Sequence, residues 1–274
     1  MMPHALARIL VAVILIASLL IVRASAQAVT CGTASFDAWL TEYKKEARTR
    51  GISESAINSG LAGVTLDPAV LSRDHSQHVF NQSFEEFSGR MVPPRLQRAS
   101  NLLKQYGSVL SRIESSYGVP GEVLVAIWGL ETDFGTNTGK FSTLRSLATL
   151  AYDCRRAETF RNELTDALRI VAGGDLAPSE MRGAWAGEIG QTQFMPSSYV
   201  KYAVDFDGDG RKDLLHSVPD VLASTANYLA SLGWQRAKGW EPGSPNFAVI
   251  GQWNKSEVYA RTIASFASQL THLP

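Results

Sequence analysis

The chain has 274 residues, 45% of them hydrophobic, which suffices for one compact core or for a main domain with a smaller lobe. Its 26 basic and 26 acidic residues cancel, so it lacks the basic excess of a nucleic-acid binder. His75 and His78 have no neighbouring Cys or third His to complete a zinc set, and they read as ordinary polar residues.

Arg8 precedes the apolar run 9–22, and Arg23-Ala24-Ser25-Ala26-Gln27-Ala28 follows it. A basic start, a short apolar stretch and a small-residue Ala-x-Ala site predict a cleaved signal peptide over residues 1–26. The run falls short of the roughly 18 residues that a spanning helix requires. Cys31 lies close behind, but Ala28-Val29-Thr30 is a poor context for a lipoprotein. Cleavage removes Arg8 and Arg23 and leaves a net charge of −2. Both cysteines, Cys31 and Cys154, survive it. An even count in an oxidising compartment favours one disulfide, with two separate buried thiols as the alternative.

The mature chain then reads as helices almost throughout. Ser35 caps a helix carrying Phe36, Trp39, Leu40, Tyr43 and Ala47 on one side and closed by Gly51. Ser53 starts a short second helix that stops near Gly60. Residues 61–78 carry turn signals without strand alternation, and Phe80, Phe84 and Phe87 have the spacing of a core-facing helix. Pro93-Pro94 opens one long helix with Leu96, Ala99, Leu103, Tyr106, Leu110, Ile113 and Tyr117 on a single stripe.

Pro120 marks the first turn of the next helix. Counting back from Glu131, Trp128, Ile127, Leu124 and Val123 lie three, four, seven and eight residues earlier. The carboxyl therefore projects from the apolar face, near the negative end of the helix dipole. Lost hydration and the dipole both disfavour the anion, which raises the pKa toward that of a general acid. A buried acid paired with an Arg would look the same in sequence.

Leu144, Leu147, Leu150 and Ala151 continue the helical pattern, as do Phe160, Leu164, Leu168 and Val171, with Arg155 and Arg156 between the two runs. Such a pair is either a solvated face or a bidentate anion grip. From Gly183 to Tyr199, glycines alternate with Trp185, Gln191, Gln193 and Phe194. Flat apolar surfaces and fixed amides are what sugar rings and their acetamido groups require, although a glycine-rich turn with incidental aromatics has the same composition.

Asp205, Asp207, Asp209 and Asp213 fall at positions 1, 3, 5 and 9 of an EF-hand-type calcium loop, with Gly210 at position 6. Position 12 is His216, where a bidentate Glu is expected. A plain Asp/Gly turn is the alternative. An amphipathic helix with Val221, Leu222, Thr225, Tyr228, Leu229 and Leu232 follows.

Three segments taken together, Ile127-Trp-Gly-Leu-Glu-Thr-Asp-Phe-Gly135, Gly183-Ala-Trp-Ala-Gly…Gly190-Gln-Thr-Gln-Phe-Met-Pro-Ser-Ser198 and Asp205-Phe-Asp-Gly-Asp-Gly210, resemble the membrane-bound lytic murein transglycosylase B family of peptidoglycan lyases. Ser146-Leu-Ala-Thr-Leu-Ala-Tyr, Arg155-Arg-Ala-Glu158, Ala226-Asn-Tyr-Leu, Gly233-Trp234, Trp253-Asn-Lys-Ser and Tyr259-Ala260 extend the likeness over essentially the whole mature chain. The resemblance implies a mainly α fold. In it a lysozyme-like catalytic core over 118–274 joins an N-terminal helical lobe over 31–117 in one unit, with an EF-hand-like loop at 205–220.

It further implies an enzyme acting on peptidoglycan glycan strands, with Glu131 as the single catalytic acid and base; the leader predicts a periplasmic location, and a monomer is expected. Arg155, Arg156, Gln193, Phe194, Asn254 and Tyr259 are the implied glycan contacts, and Gln191 of the amide-rich segment is a further candidate. No cofactor is needed for the chemistry. A structural Ca²⁺ is implied at Asp205, Asp207, Asp209, the Arg211 carbonyl and Asp220, the last replacing the absent Glu through a longer loop. Ala184 departs from the family's common Ser, and Thr159 from an aromatic residue. A two-carboxylate hydrolase would need a second acid, but Asp133 points elsewhere on the helix and the motif supplies no clear partner.

Overall fold

The computed structural model describes residues 35–76 and 82–273. The expected leader, Cys31, His78 and Phe80 lie outside these residues. Helix α1 (Phe36–Thr49) starts where the Ser35 hydroxyl accepts the Ala38 N–H, and it buries Trp39, Leu40, Tyr43 and Ala47. Helix α2 (Glu54–Gly60) is capped by Ser53 in the same way. Helix α3 (Pro68–His75) occupies a stretch read as turns: Asp67 caps it and Pro68 fits its first turn, so the Asp-Pro pair is a helix start.

Ser83 and Glu86 form a reciprocal capping box at the head of α4 (Phe84–Met91). The single helix expected after Pro93 is two, α5 (Pro93–Gln105) and α6 (Gly107–Tyr117). Tyr106 leaves helical geometry between them at φ −100°, ψ 14°. Gly107 and Ser108 at the joint favour the break, which a stripe of apolar residues does not reveal.

Helix α7 (Gly121–Thr132) is the central element. Every residue from Val123 to Leu130 is buried, so it has no wet side at all. Pro120 is its N-cap, one position earlier than the first turn. Strand β1 (Phe141–Ser142) leads into α8 (Thr143–Tyr152) and α9 (Ala157–Gly173). Strand β2 (Arg182–Gly183) pairs antiparallel with β1, Phe141 opposite Gly183. Helices α10 (Pro196–Tyr202), α11 (Val218–Ser231), α12 (Pro245–Trp253) and α13 (Glu257–Thr271) complete the chain.

Helix α7 is enclosed by α5, α6, α11 and α13, while α9 is flanked by α2, α8 and α10. One continuous hydrophobic core runs from Phe36 to Leu270. The helices before residue 117 share that core with those after it. Tyr43 of α1, for example, reaches Thr165 of α9 at 3.0 Å. No helix among the described residues is long and apolar enough to cross a membrane.

Candidate active site

The end of α7 is built to stop just after Glu131. Asp133 and Phe134 are left-handed (φ 53° and 57°), followed by Gly135 at φ 80°. The Thr132 hydroxyl accepts the Gly135 N–H at 2.9 Å and donates to the Gln191 carbonyl at 2.5 Å. Trp128 Nε1–H donates to Gln191 Oε1 at 2.8 Å. These bonds clamp the glutamate helix to the glycine-rich segment sixty residues downstream.

Their junction opens into a cleft of about 260 Å³, lined by Glu131, Glu188, Gln193, Phe194, Trp253 and Asn254 among others. Glu131 is half-buried in its wall. Trp253 Nε1–H donates to Glu131 Oε1 at 3.2 Å, and the Tyr259 hydroxyl also donates to the carboxyl. Both donors favour the anion, and burial disfavours it. Burial wins, and the carboxyl is pushed up to about 7, with the nearby Glu188 charge adding in the same direction.

The aromatic wall is a packed set. Phe194 meets Tyr228 and Trp253 edge-on at 5.6 and 5.7 Å. Gln193, strained at φ 54°, donates its amide N–H groups to the carbonyls of Thr138 and Gly190, so its Oε1 is the atom left for the cleft. Asn254 accepts the Ser256 N–H through Oδ1, which leaves its NH₂ as donor.

Other expected contacts fall elsewhere. Gln191 is buried behind the cleft, its Oε1 held by Trp128 and its Nε2 by the Leu215 carbonyl at 2.8 Å. It acts as a clamp and is absent from the cleft lining. Arg155 and Arg156 do not line the cleft. Both grip buried Asp74 on α3, Arg156 through a short ion pair and Arg155 through the Asp74 carbonyl at 2.8 Å. A buried carboxylate takes priority over a solvated face because an unpaired one is costly. Asp133 pairs with Arg95 at 3.3 Å, away from the cleft as expected. Ala184 offers no hydroxyl, and Thr159 is exposed on α9 outside the cleft.

Glu188 was missed: it is a second carboxylate in the cleft, which the motif does not supply. The signal lay in an acidic residue inside a segment otherwise made of glycines, amides and aromatics. Trp253 was visible only as part of a motif.

In the acidic loop, oxygens of Asp205, Asp207 and Asp209 lie within 4.8 Å of one another and are exposed. Asp205 accepts the N–H groups of Gly208 and Gly210, and Asp209 that of Arg211. Asp220 is buried outside this trio, accepting the N–H groups of Phe206, Asp207 and Asp213. His216 at the twelfth position turns its ring to Asp213 at 3.0 Å. Three converging hard oxygens with no ion-paired cation among the described residues fit a divalent ion of calcium type. Cys154 is disulfide-bonded.

A helical core that presents a neutral-leaning glutamic acid to an aromatic cleft is that of a lysozyme-like protein. The chain belongs to the transglycosylase SLT domain family, whose model matches residues 35–244. It is 41% identical over 164 residues to membrane-bound lytic murein transglycosylase B of Escherichia coli strain K12, a match covering 57% of this chain and 45% of that protein. SltB3 of Pseudomonas aeruginosa, solved in complex with NAG-anhNAM-pentapeptide, matches with a TM-score of 0.82 and 31% identity over 87% of this chain and 80% of its own. Slt35 of E. coli, solved in complex with calcium, matches with a TM-score of 0.76 and 27% identity over 85% of this chain and 92% of its own.

Proposed function

We propose that the protein is a peptidoglycan lytic transglycosylase acting in the periplasm behind a cleaved signal peptide. The observation that carries this reading is Glu131: a carboxyl with a pKa of about 7, aimed into a cleft of sugar-ring scale between an aromatic wall and side-chain amides. Protonated Glu131 donates to the glycosidic oxygen between N-acetylmuramic acid and N-acetylglucosamine. As an anion it then removes the proton of the muramoyl C6 hydroxyl, which attacks the anomeric carbon and closes a 1,6-anhydro ring without consuming water. Relatives solved with anhydromuramoyl and muramoyl peptides support the substrate class.

Glu131→Gln is expected to fold and to lose turnover of purified sacculi by at least about 10³-fold, in the range of a lost acid–base group. Release of muropeptides at the native rate by this variant would end the assignment. A second reading, a lysozyme-type hydrolase, is favoured by one observation, the presence of Glu188 beside Glu131 in the cleft. Mass spectrometry separates the two, because the hydrolase product is one water heavier than the anhydro product.

The trio Asp205, Asp207 and Asp209, with the Arg211 carbonyl, is proposed to hold a structural Ca²⁺. Asp220 braces the same loop and offers its remaining lone pairs. The ion would fix the loop between α10 and α11 and takes no part in the chemistry.

A further inference from the structure

The catalytic cleft holds a second carboxylate that the single-glutamate chemistry leaves idle. Glu188 lines the same cavity as Glu131, near enough for its charge to raise the pKa of the acid. It sits on backbone that has no freedom to move away. Any side chain at Gly183 would run into the Glu188 carbonyl, and any at Gly187 into Leu147. The Thr143 hydroxyl reaches the same carbonyl at 3.4 Å.

One carboxylate oxygen, Oε2, accepts the Ala186 N–H at 3.0 Å, which orients the group. Among the described residues no cationic side chain forms an ion pair with it. The Arg156 charge acts on it, but that guanidinium is committed to Asp74. Its partners on this chain are backbone N–H groups, of Ala186 and of Glu188 itself, so the carboxylate faces the cleft with lone pairs still open to a donor on a ligand.

We propose that Glu188 is a second catalytic residue, whose carboxylate accepts the acetamido N–H of the sugar being cleaved and balances the charge that develops there. This rests on the transglycosylase reading above. The acetamido group is on the carbon next to the anomeric one, so it lies beside the bond that Glu131 protonates. In the first step the acetamido oxygen bonds to the anomeric carbon while the glycosidic C–O bond breaks. Its electron pair leaves with the departing oxygen, which takes the Glu131 proton.

The resulting bicyclic oxazolinium ion carries positive charge on its N–H, against which the Glu188 anion stands. In the second step O6 attacks the anomeric carbon, the acetamido oxygen is released, and the O6 proton returns to Glu131. Atoms and charge balance without water. The contact strengthens as charge develops, so it lowers the barrier more than it tightens ground-state binding.

The test compares wild type with Glu188→Gln and Glu188→Ala on solubilised glycan strands, with melting points as a control for folding. Both substitutions remove a charge that burial disfavours, so the fold is expected to survive. Expected are a kcat lower by about 10²-fold or more with KM changed by little, as when one stabilising group is lost from a transition state. Inhibition by a muramoyl thiazoline, which mimics the bicyclic ion, should weaken by a similar factor, while binding of the uncleaved chitobiose unit should not. Two variants with kcat and thiazoline inhibition within about twofold of wild type would overturn the role of Glu188. Loss of KM alone would reduce it to a ground-state contact. Wild type releasing no anhydro product at all would instead sink the wider reading, and the two failures are distinct.

Discussion

At Glu131 three local effects compete, and their balance sets both chemistry and stability. Trp253 and Tyr259 donate to the carboxyl and pull its pKa down, yet burial prevails and places it near 7, against an ordinary value of 4.5. Turnover that starts from the protonated acid should therefore fall as pH rises through about 7, and a pH–rate profile would show that limb. The same shift is a stability statement. Folding favours the neutral acid, so its contribution is complete below the unfolded pKa and is lost as pH climbs through about 7. Glu131→Gln is permanently neutral and should be more stable than wild type at pH 8, by up to about 3 kcal/mol and with a correspondingly higher melting point, with little difference at pH 4. Equal melting points at pH 8 would show that the carboxyl is not held in the neutral form. Gln191 and Gln193 show how narrowly roles divide at this scale: two residues apart, one is a buried clamp and the other faces the cleft.

The C-terminal end of α7 decides where the acid points. Three successive left-handed residues stop the helix within one turn of Glu131, and for Phe134 that conformation costs about 1 kcal/mol or more. Packing offsets it: the Phe134 ring lies edge-on to Trp128 at 5.6 Å, with the Arg98 guanidinium over it at 5.0 Å. Gly135 is required twice, for its φ of 80° and because a Cβ would strike the Gln191 amide. Gly135→Ala is thus expected to lose about 2 kcal/mol or more in urea unfolding. It should also lower activity, since moving Gln191 releases Trp128 and Thr132 together. Unchanged unfolding would mean that the clamp is slack.

Across the whole molecule the acidic loop is the place where the proposed Ca²⁺ would bear on the fold. Exposed Asp205, Asp207 and Asp209 repel one another, and a bound Ca²⁺ would turn that repulsion into a tie between α10 and α11. A chelator should lower the melting point by a few degrees, in keeping with about 1 kcal/mol of binding linkage. Asp209→Asn should abolish the calcium response and melt slightly above chelated wild type. A midpoint indifferent to chelator and calcium would leave the loop an ion-free turn.

Much of the chain was legible because its signals are local. Ser35, Ser53 and Pro120 announce helix starts within a few residues, and the 3.6-residue spacing around Glu131 places its carboxyl among apolar neighbours. What depended on distant contacts was not. Arg155 and Arg156 are claimed by Asp74 some eighty residues away, the helix over 93–117 breaks at Tyr106, and Glu188 turns into the cleft. A glycine-rich segment has no periodicity, so the face each side chain takes is set by what its backbone meets. The sequence alone determined a helical protein with an acid at the end of a buried helix. Only the tertiary structure decided which of the remaining polar groups share its cleft, because burial and ion pairing act between residues that no sequence spacing relates.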